Sequence, residues 1–478
     1  MPSTDATVII SSPPVHHDVD IREASPSLSF NVLPLECRQQ ILRDLPDIES
    51  LKSAILSHSS LYSAFSNHKT PIILQVIQRQ IPRELLAYAV LCSHARNIEP
   101  WTRSKVLDIL DLYFNRRPVD SFNWTIGAAL DLVSFHESVT FFTNDYIDNA
   151  LGLVAPLYFP IHAPSETEWC RVARAFYLQE AINHLFRFRN IEEHWINGRI
   201  KSSRLSPSDF RPQERIEIFY SKHAPWEMEQ IGAVNEYLYW KISPGMSIPC
   251  YVSCFCSAHD VEFGYCVVYF SDNETWEADM GSQHKRGFLL KGLAVLHQFV
   301  ARANHNSRLG LISIRNLCCS TWLLINQLEC LEIFAAQGFG GTFYRDLTPE
   351  QNAELLGNPF AYDSDCGPKQ AWQWAHRDTR CCYLVCSKEH RELRRLGYVM
   401  WDNQRLQQWR ALGAPFQAPQ EDDDSQTRRR WMAMWPSMEK RQRMYEHGAR
   451  GWWDGEDGEG IRWIHGAKSP QTQRRLLQ

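Results

Sequence analysis

The sequence predicts a mainly α-helical protein that opens with three short helices and continues as an irregular multi-helix body. Three observations carry this expectation. Apolar residues recur three or four positions apart along most of the chain. Prolines such as Pro34, Pro82 and Pro225 fall where a first helical turn tolerates them, because the missing N–H has no intrahelical partner there. No internal repeat of fixed period marks a solenoid or propeller. Apolar residues make up 44% and charged residues 22% of 478, ordinary values for a chain that buries a core, and the length suits two or three domains. Aromatics reach 12%, with 17 Trp, and many sit in helical segments as large core fillers.

Residues 1–29 are rich in Ser, Pro and Asp without periodicity and are expected to form a disordered leader. The character changes at Leu33. In LPLECRQQILRDL, Pro34 suits a first turn, and Leu35, Ile41, Leu42 and Leu45 fall on roughly one face. Pro46 and Asp47 interrupt the pattern, and Asp47 is placed to cap a second helix carrying Leu51, Ala54 and Ile55. Ser59 or Ser60 is placed to cap a third helix bearing Leu61, Tyr62 and Phe65. Residues 30–70 thus form a small helical module with few residues available for a core.

The body, 71–411, keeps the helical rhythm. Pro71 precedes IILQVIQRQ, and Pro82 opens RELLAYAVLCSHAR. Helical spacing persists over 102–115, 122–138 and 166–190, with Val172, Phe176, Ile182, Leu185 and Phe186 on one stripe of the last. Residues 212–242 predict one or two helices. The runs CYVSCFC and YCVVYF within 243–285 are candidates for a few short strands or helical turns. GFLLKGLAVLHQFVARA and STWLLINQLECLEIFAAQ return to helix, and 388–411 predicts one helix interrupted near Gly397. A polar linker, 412–426, precedes a helical, Trp-rich segment, 427–478, broken at Pro436.

The stretch LPLECRQQILRDLPDIESLKSAILSHSSLYSAFSNH resembles an F-box. The family pattern opens on Leu-Pro with an acidic residue close behind, and Leu33, Pro34 and Glu36 supply that opening. Ile41, Leu42 and Leu45 match the apolar positions of the next turns, Leu51 the leucine of the second helix, and Leu61 and Phe65 apolar positions of the third. The sequence departs from the pattern at Cys37 and in lacking a Trp after the third helix. The resemblance implies docking on the adaptor Skp1 of a cullin–RING ubiquitin ligase, with Leu33, Pro34, Leu35, Glu36, Ile41, Leu42, Leu45, Leu51, Leu61 and Phe65 as the partner-binding set. The whole layout is also similar to a group of filamentous-fungal F-box domain-containing proteins, with a PWE-type helix (Pro225, Trp226, Glu227) and an LGYVMWD-type segment (Leu396 to Asp402). It implies an adaptor for an unknown protein substrate rather than an enzyme, with no cofactor. Physics is consistent with a partner, since three short helices alone bury little area.

Other constellations are weaker. Cys250, Cys254, Cys256 and His259, with Cys266 nearby, are spaced C-x3-C-x-C-x2-H, unlike the paired C-x2-C of zinc sites. Cys366, His376, Cys381, Cys382 and Cys386 form a second group. Core cysteines explain both more simply, so no metal site is expected, although a zinc protein or enzyme built on them stands as an alternative, as does a helical scaffold with a vestigial F-box. Nucleophile-elbow, P-loop and HExxH motifs are absent. Gly338, Gly340 and Gly341 leave the dinucleotide fingerprint incomplete, and Asp454, Glu456, Asp457 and Glu459 miss the EF-hand order. A formal charge of −5 argues against general nucleic-acid binding. The absence of a long apolar run argues against a membrane partner. With no signal-peptide pattern at the start, the 14 cysteines are expected to be reduced and the protein intracellular, cytoplasmic or nuclear.

Overall fold

The chain is mainly helical. The computed structural model describes residues 30, 32–115, 118–154, 162–187, 195–196, 199–200, 210–242, 288–301, 311, 341–356, 363–412, 449–450 and 462–463. Among these, β-structure is confined to two antiparallel pairs of two-residue strands, Trp195–Ile196 with Arg199–Ile200 and Ala449–Arg450 with Arg462–Trp463, and one bridge, Phe343 to Arg380. The expected strand candidates at 243–285, the helix at 320–337 and most of the Trp-rich segment lie outside the described residues.

Contacts divide the chain into Met1–Val76 and Ile77–Gln478. The first unit contains α1 (Leu35–Arg43), α2 (Ile48–Ser57) and α3 (Ser59–Asn67), and α4 (Lys69–Ile77) leads out of it. Asp47 caps α2 as its sequence position predicts, accepting a hydrogen bond from Ser50 N at 2.6 Å. The cap of α3 differs from expectation. His58, not a serine, precedes the helix, and its Nδ1 accepts from Ser60 N at 3.2 Å. Ser59 and Ser60 are already helical, so their hydroxyls are not placed to cap. Pro71 lies inside the first turn of α4 rather than before it, where no hydrogen bond is lost.

In the second unit, α5 (Leu86–Arg96), α6 (Arg103–Phe114), α7 (Pro118–Ser121) and α8 (Ile126–Val154) precede α9 (Glu166–Leu185). Helix α8 runs on to Val154, well past the expected 138, because Phe142, Tyr146, Ala150 and Val154 extend its buried stripe at intervals of four. Helix α9 starts at a capping box in which Ser165 Oγ accepts from Glu168 N at 3.1 Å and Glu168 Oε2 accepts from Ser165 N at 2.9 Å. It is enclosed by α5, α8 and α11 (Pro225–Ile242), which explains why Arg171, Gln179 and Glu180 are as buried as Phe176. Helix α10 (Pro212–Ile218) is tied to α6 by a two-pronged Arg103–Glu214 pair at 2.8 and 3.1 Å. Further along come α12 (Leu293–Ala301), α13 (Pro349–Leu356) and α14 (Gly367–His376).

Residues 388–411 are not one helix. They form a 3-10 turn (Lys388–His390), α15 (Arg391–Arg395), a bend, and α16 (Asn403–Gln408). The bend centres on Gly397, at φ +69°, with Trp401 ring carbons 3.0 and 3.2 Å from where a Cβ would stand. The bend lets the segment reach two helices at once. Toward α11, Arg394 donates to Glu236 at 2.8 Å through two nitrogens and to Glu229 at 3.0 Å, Tyr398 donates to Glu229 at 3.1 Å, and Gln230 donates to Val399 O at 2.9 Å. Toward α9, Arg405 donates to Glu168 at 2.7 Å, and Arg171 pairs with Asp402 at 3.0 Å and with Asp363 at 2.6 Å while also donating to Met400 O. Burial opposes the charge of Arg394, but Glu236 and Glu229 outweigh it and hold the guanidinium well above its usual pKa. The PWE-type helix and the LGYVMWD-type segment, 169 residues apart between Gln230 and Val399, therefore meet in one buried network.

Two stability predictions follow from this contact. Arg394→Met takes from buried Glu229 and Glu236 the guanidinium they share, leaving Glu236 with Arg391 at 3.5 Å, and is expected to cost about 3–5 kcal/mol in urea denaturation, part of it recovered when both glutamates become glutamine. At Gly232 a Cβ would stand 2.1 Å from Cys386 Sγ, so Gly232→Ala is expected to cost about 1–3 kcal/mol, and Cys386→Ala in the same chain should return part of the loss.

Candidate partner-binding surface

The residues implied by the F-box resemblance separate into three groups. Leu42, Leu51, Leu61 and Phe65 are buried, with Leu42 and Leu51 fully enclosed. Leu33, Leu35 and Leu45 are half-buried, whereas Pro34, Glu36 and Ile41 are exposed. The expected single face of Leu35, Ile41, Leu42 and Leu45 is thus divided. Helix α1 turns Leu42 and Gln39 inward, and Gln39 Nε2 donates to Ala64 O at 3.3 Å while Arg38 donates to Ser60 O at 3.2 Å. These two bonds fix α1 against α3 and leave Ile41, one position before Leu42, turned outward.

The same offset recurs in each helix. Leu56 follows buried Ile55 and is 74% exposed, and Tyr62 follows buried Leu61 and is 57% exposed. One step along a helix turns a side chain by roughly 100°, so a residue beside the core stripe leaves the core. Phe30 and Val32, before α1, are also exposed, and the Phe30 ring lies 5.7 Å from the His58 imidazole. Sequence reasoning missed Phe30, Val32, Leu56 and Tyr62 as candidates. For Leu56 the signal was available, because Ile48, Leu51 and Ile55 define a stripe from which it is one step removed.

The second cysteine group is divided between core and surface. Cys381 and Cys386 are buried, Cys382 is half-buried and Cys366 is exposed. Among the described residues no cluster of three or more His, Cys, Asp or Glu is arranged to hold a metal ion. Burial pushes the Cys381 thiol up to about 11. Cys250, Cys254, Cys256, His259 and Cys266 lie outside the described residues.

A cleft of about 270 Å³ opens beside α5, α8 and α9, lined in part by Arg96, Asp131, Phe135 and His184. Its basic side chains are engaged internally. Arg96 lies 4.5 Å over the Phe135 ring and 3.9 Å from Glu180, and His184 Nε2 is 3.1 Å from the same carboxylate, which also accepts from Leu293 N at 2.8 Å. Among the described residues no helix is long and apolar enough to cross a membrane.

The split between core and surface predicts distinct mutational costs. Leu51→Ala is expected to destabilise the first unit by about 2–5 kcal/mol, whereas Leu56→Ala and Tyr62→Ala should change stability by no more than about 0.5 kcal/mol, read by urea denaturation followed by circular dichroism.

No protein-family profile, curated protein or solved structure matches the chain.

Proposed function

We propose that this protein is an F-box-like adaptor: its first unit docks on a Skp1-like subunit of a cullin–RING ubiquitin ligase, and its helical body presents a protein substrate inside the cell. The observation that supports this reading is the exposure of several large apolar residues in the first unit. Ile41, Leu56 and Tyr62 stand one step off the core stripes of α1, α2 and α3, with Phe30 and Val32 exposed before α1. Five exposed large apolar side chains on a unit this small are surface a partner could cover. Each one fully buried by such a partner would contribute roughly 1.5–3 kcal/mol. On this reading the chain needs no catalytic residue and no cofactor of its own. The transfer of ubiquitin belongs to the partners.

A scaffold with a vestigial F-box is the competing reading, and it draws on the burial of Leu42, Leu51, Leu61 and Phe65, which the unit uses for its own packing. Binding separates the two. Purified full-length protein mixed with purified Skp1 is expected to form a complex by calorimetry. The exposed pair Ile41→Ala and Tyr62→Ala should weaken it at least tenfold while leaving the circular dichroism spectrum unchanged, and Leu33→Ala with Pro34→Ala should do likewise. A correctly folded intact protein that binds no Skp1 would remove the adaptor reading in favour of the scaffold.

A further inference from the structure

Two imidazoles in the second unit pack ring against ring in surroundings that have no place for a proton. His376, the last residue of α14, is fully enclosed, with its ring stacked 4.8 Å from Trp372 and 4.1 Å from His390. Hydrogen bonds fix both tautomers. His376 Nδ1 faces the Trp372 carbonyl at 2.9 Å, so Nδ1 bears the proton and Nε2 only a lone pair. That Nε2 is buried with no hydrogen-bond partner among the described residues. His390 Nε2 donates to Ala375 O at 2.9 Å, and its Nδ1 accepts from Ser387 Oγ at 2.7 Å. The His376 ring is therefore neutral, and burial favours the neutral form of His390.

A proton added to His376 would create a buried N–H without an acceptor. One added to His390 would make Nδ1 the donor and Ser387 Oγ the acceptor, so the cost there comes from a buried positive charge beside Arg394 rather than from a lost hydrogen bond. The charged groups around the pair do not offset this. Arg394 of α15 repels a second cation, and Glu389 is exposed to solvent. Glu229 of α11 attracts one, yet it already accepts from Arg394, Tyr398 and Cys386 N. Burial holds both imidazoles below their ordinary range, His376 far below, with His390 and Arg394 adding to the effect there.

We propose that the His376–His390 pair is an acid-sensitive latch, whose protonation releases residues 381–395 from α14 and α11 before the α5, α8 and α9 core opens. The released segment is built from 3-10 turns and one short helix, Arg391–Arg395, and short elements of this kind open at lower cost than long packed helices. Its link to α11 passes through the same groups, since Ser387 O accepts from Arg394 at 2.9 Å while Ser387 Oγ serves His390.

The direction with pH is fixed by the neutral native rings. An unfolded histidine titrates near 6.5, so the stabilisation is complete above that pH and is lost as pH falls below it, roughly tenfold in the opening equilibrium per pH unit for each proton excluded. Hydrogen exchange of the full-length protein at pH 7.5 and 5.5, corrected for intrinsic rates, tests this. Protection over 381–395 is expected to fall at least tenfold and to stay below protection over α9, which opens later. His376→Phe keeps the stack on Trp372 without an ionisable ring and should reduce that loss. Adding His390→Gln, whose amide can accept from Ser387 and donate to Ala375, should abolish it. His136→Phe removes another buried histidine, whose pKa burial lowers to about 4, and should leave the loss unchanged. A fall of less than tenfold over 381–395 would overturn the proposal, as would protection there equal to that of α9 at both pH values, or an unaltered acid response in both His376→Phe and His390→Gln.

Discussion

Arg394 is wholly enclosed, and its two carboxylate partners, Glu229 and Glu236, stand seven residues apart on one face of α11. A buried guanidinium is tolerable only when charge and hydrogen-bond geometry are both satisfied, because removing an ion from water costs several kcal/mol. Here both conditions are met, and the consequence is architectural. The geometry that serves Arg394 also brings Tyr398 onto Glu229 and Val399 onto Gln230, and a few residues later Asp402 and Arg405 close on Arg171 and Glu168 of α9. The segment after Gly397 thus joins two central helices through ionic and polar contacts rather than through a continuous helix of its own.

Such a network sets position more strictly than apolar packing does. A leucine face can slide by a fraction of an ångström at small cost, whereas a two-pronged guanidinium–carboxylate pair cannot. The network also concentrates sensitivity. Cys386 donates its backbone N–H to Glu229 at 2.5 Å and sets its sulfur against Gly232, and Ser387 connects Arg394 to the histidine pair. A proton or a methyl group placed there disturbs α11, α14 and α15 together.

The first unit works by a different economy of residues. Its three helices hold one another through Leu42, Leu51, Leu61 and Phe65, with Gln39 and Arg38 bonding across to backbone carbonyls of α3. That leaves Ile41, Leu56 and Tyr62 outside. The residues that stabilise the unit and those available to a partner are therefore different residues, adjacent in sequence but on different faces. For an adaptor this separation matters, because binding can be changed at the surface without unfolding the unit.

Much of this was legible in the sequence. Helix periodicity announced the fold class, Asp47 declared its cap, and Val172, Phe176, Ile182 and Leu185 marked the stripe of α9. Local chemistry is sufficient for such features, since caps and stripes depend on neighbours within one or two turns. The PWE-type and LGYVMWD-type segments were visible as motifs, yet nothing in either indicated that they touch. Whether Ile41 or Leu42 faces inward, and whether 388–411 runs straight or bends at Gly397, were decided only by tertiary structure. Each depends on a partner distant in the chain, such as Ala64 for α1 or Glu168, Glu229 and Glu236 for the bend, and a side chain's local spacing carries no information about where such a partner will stand.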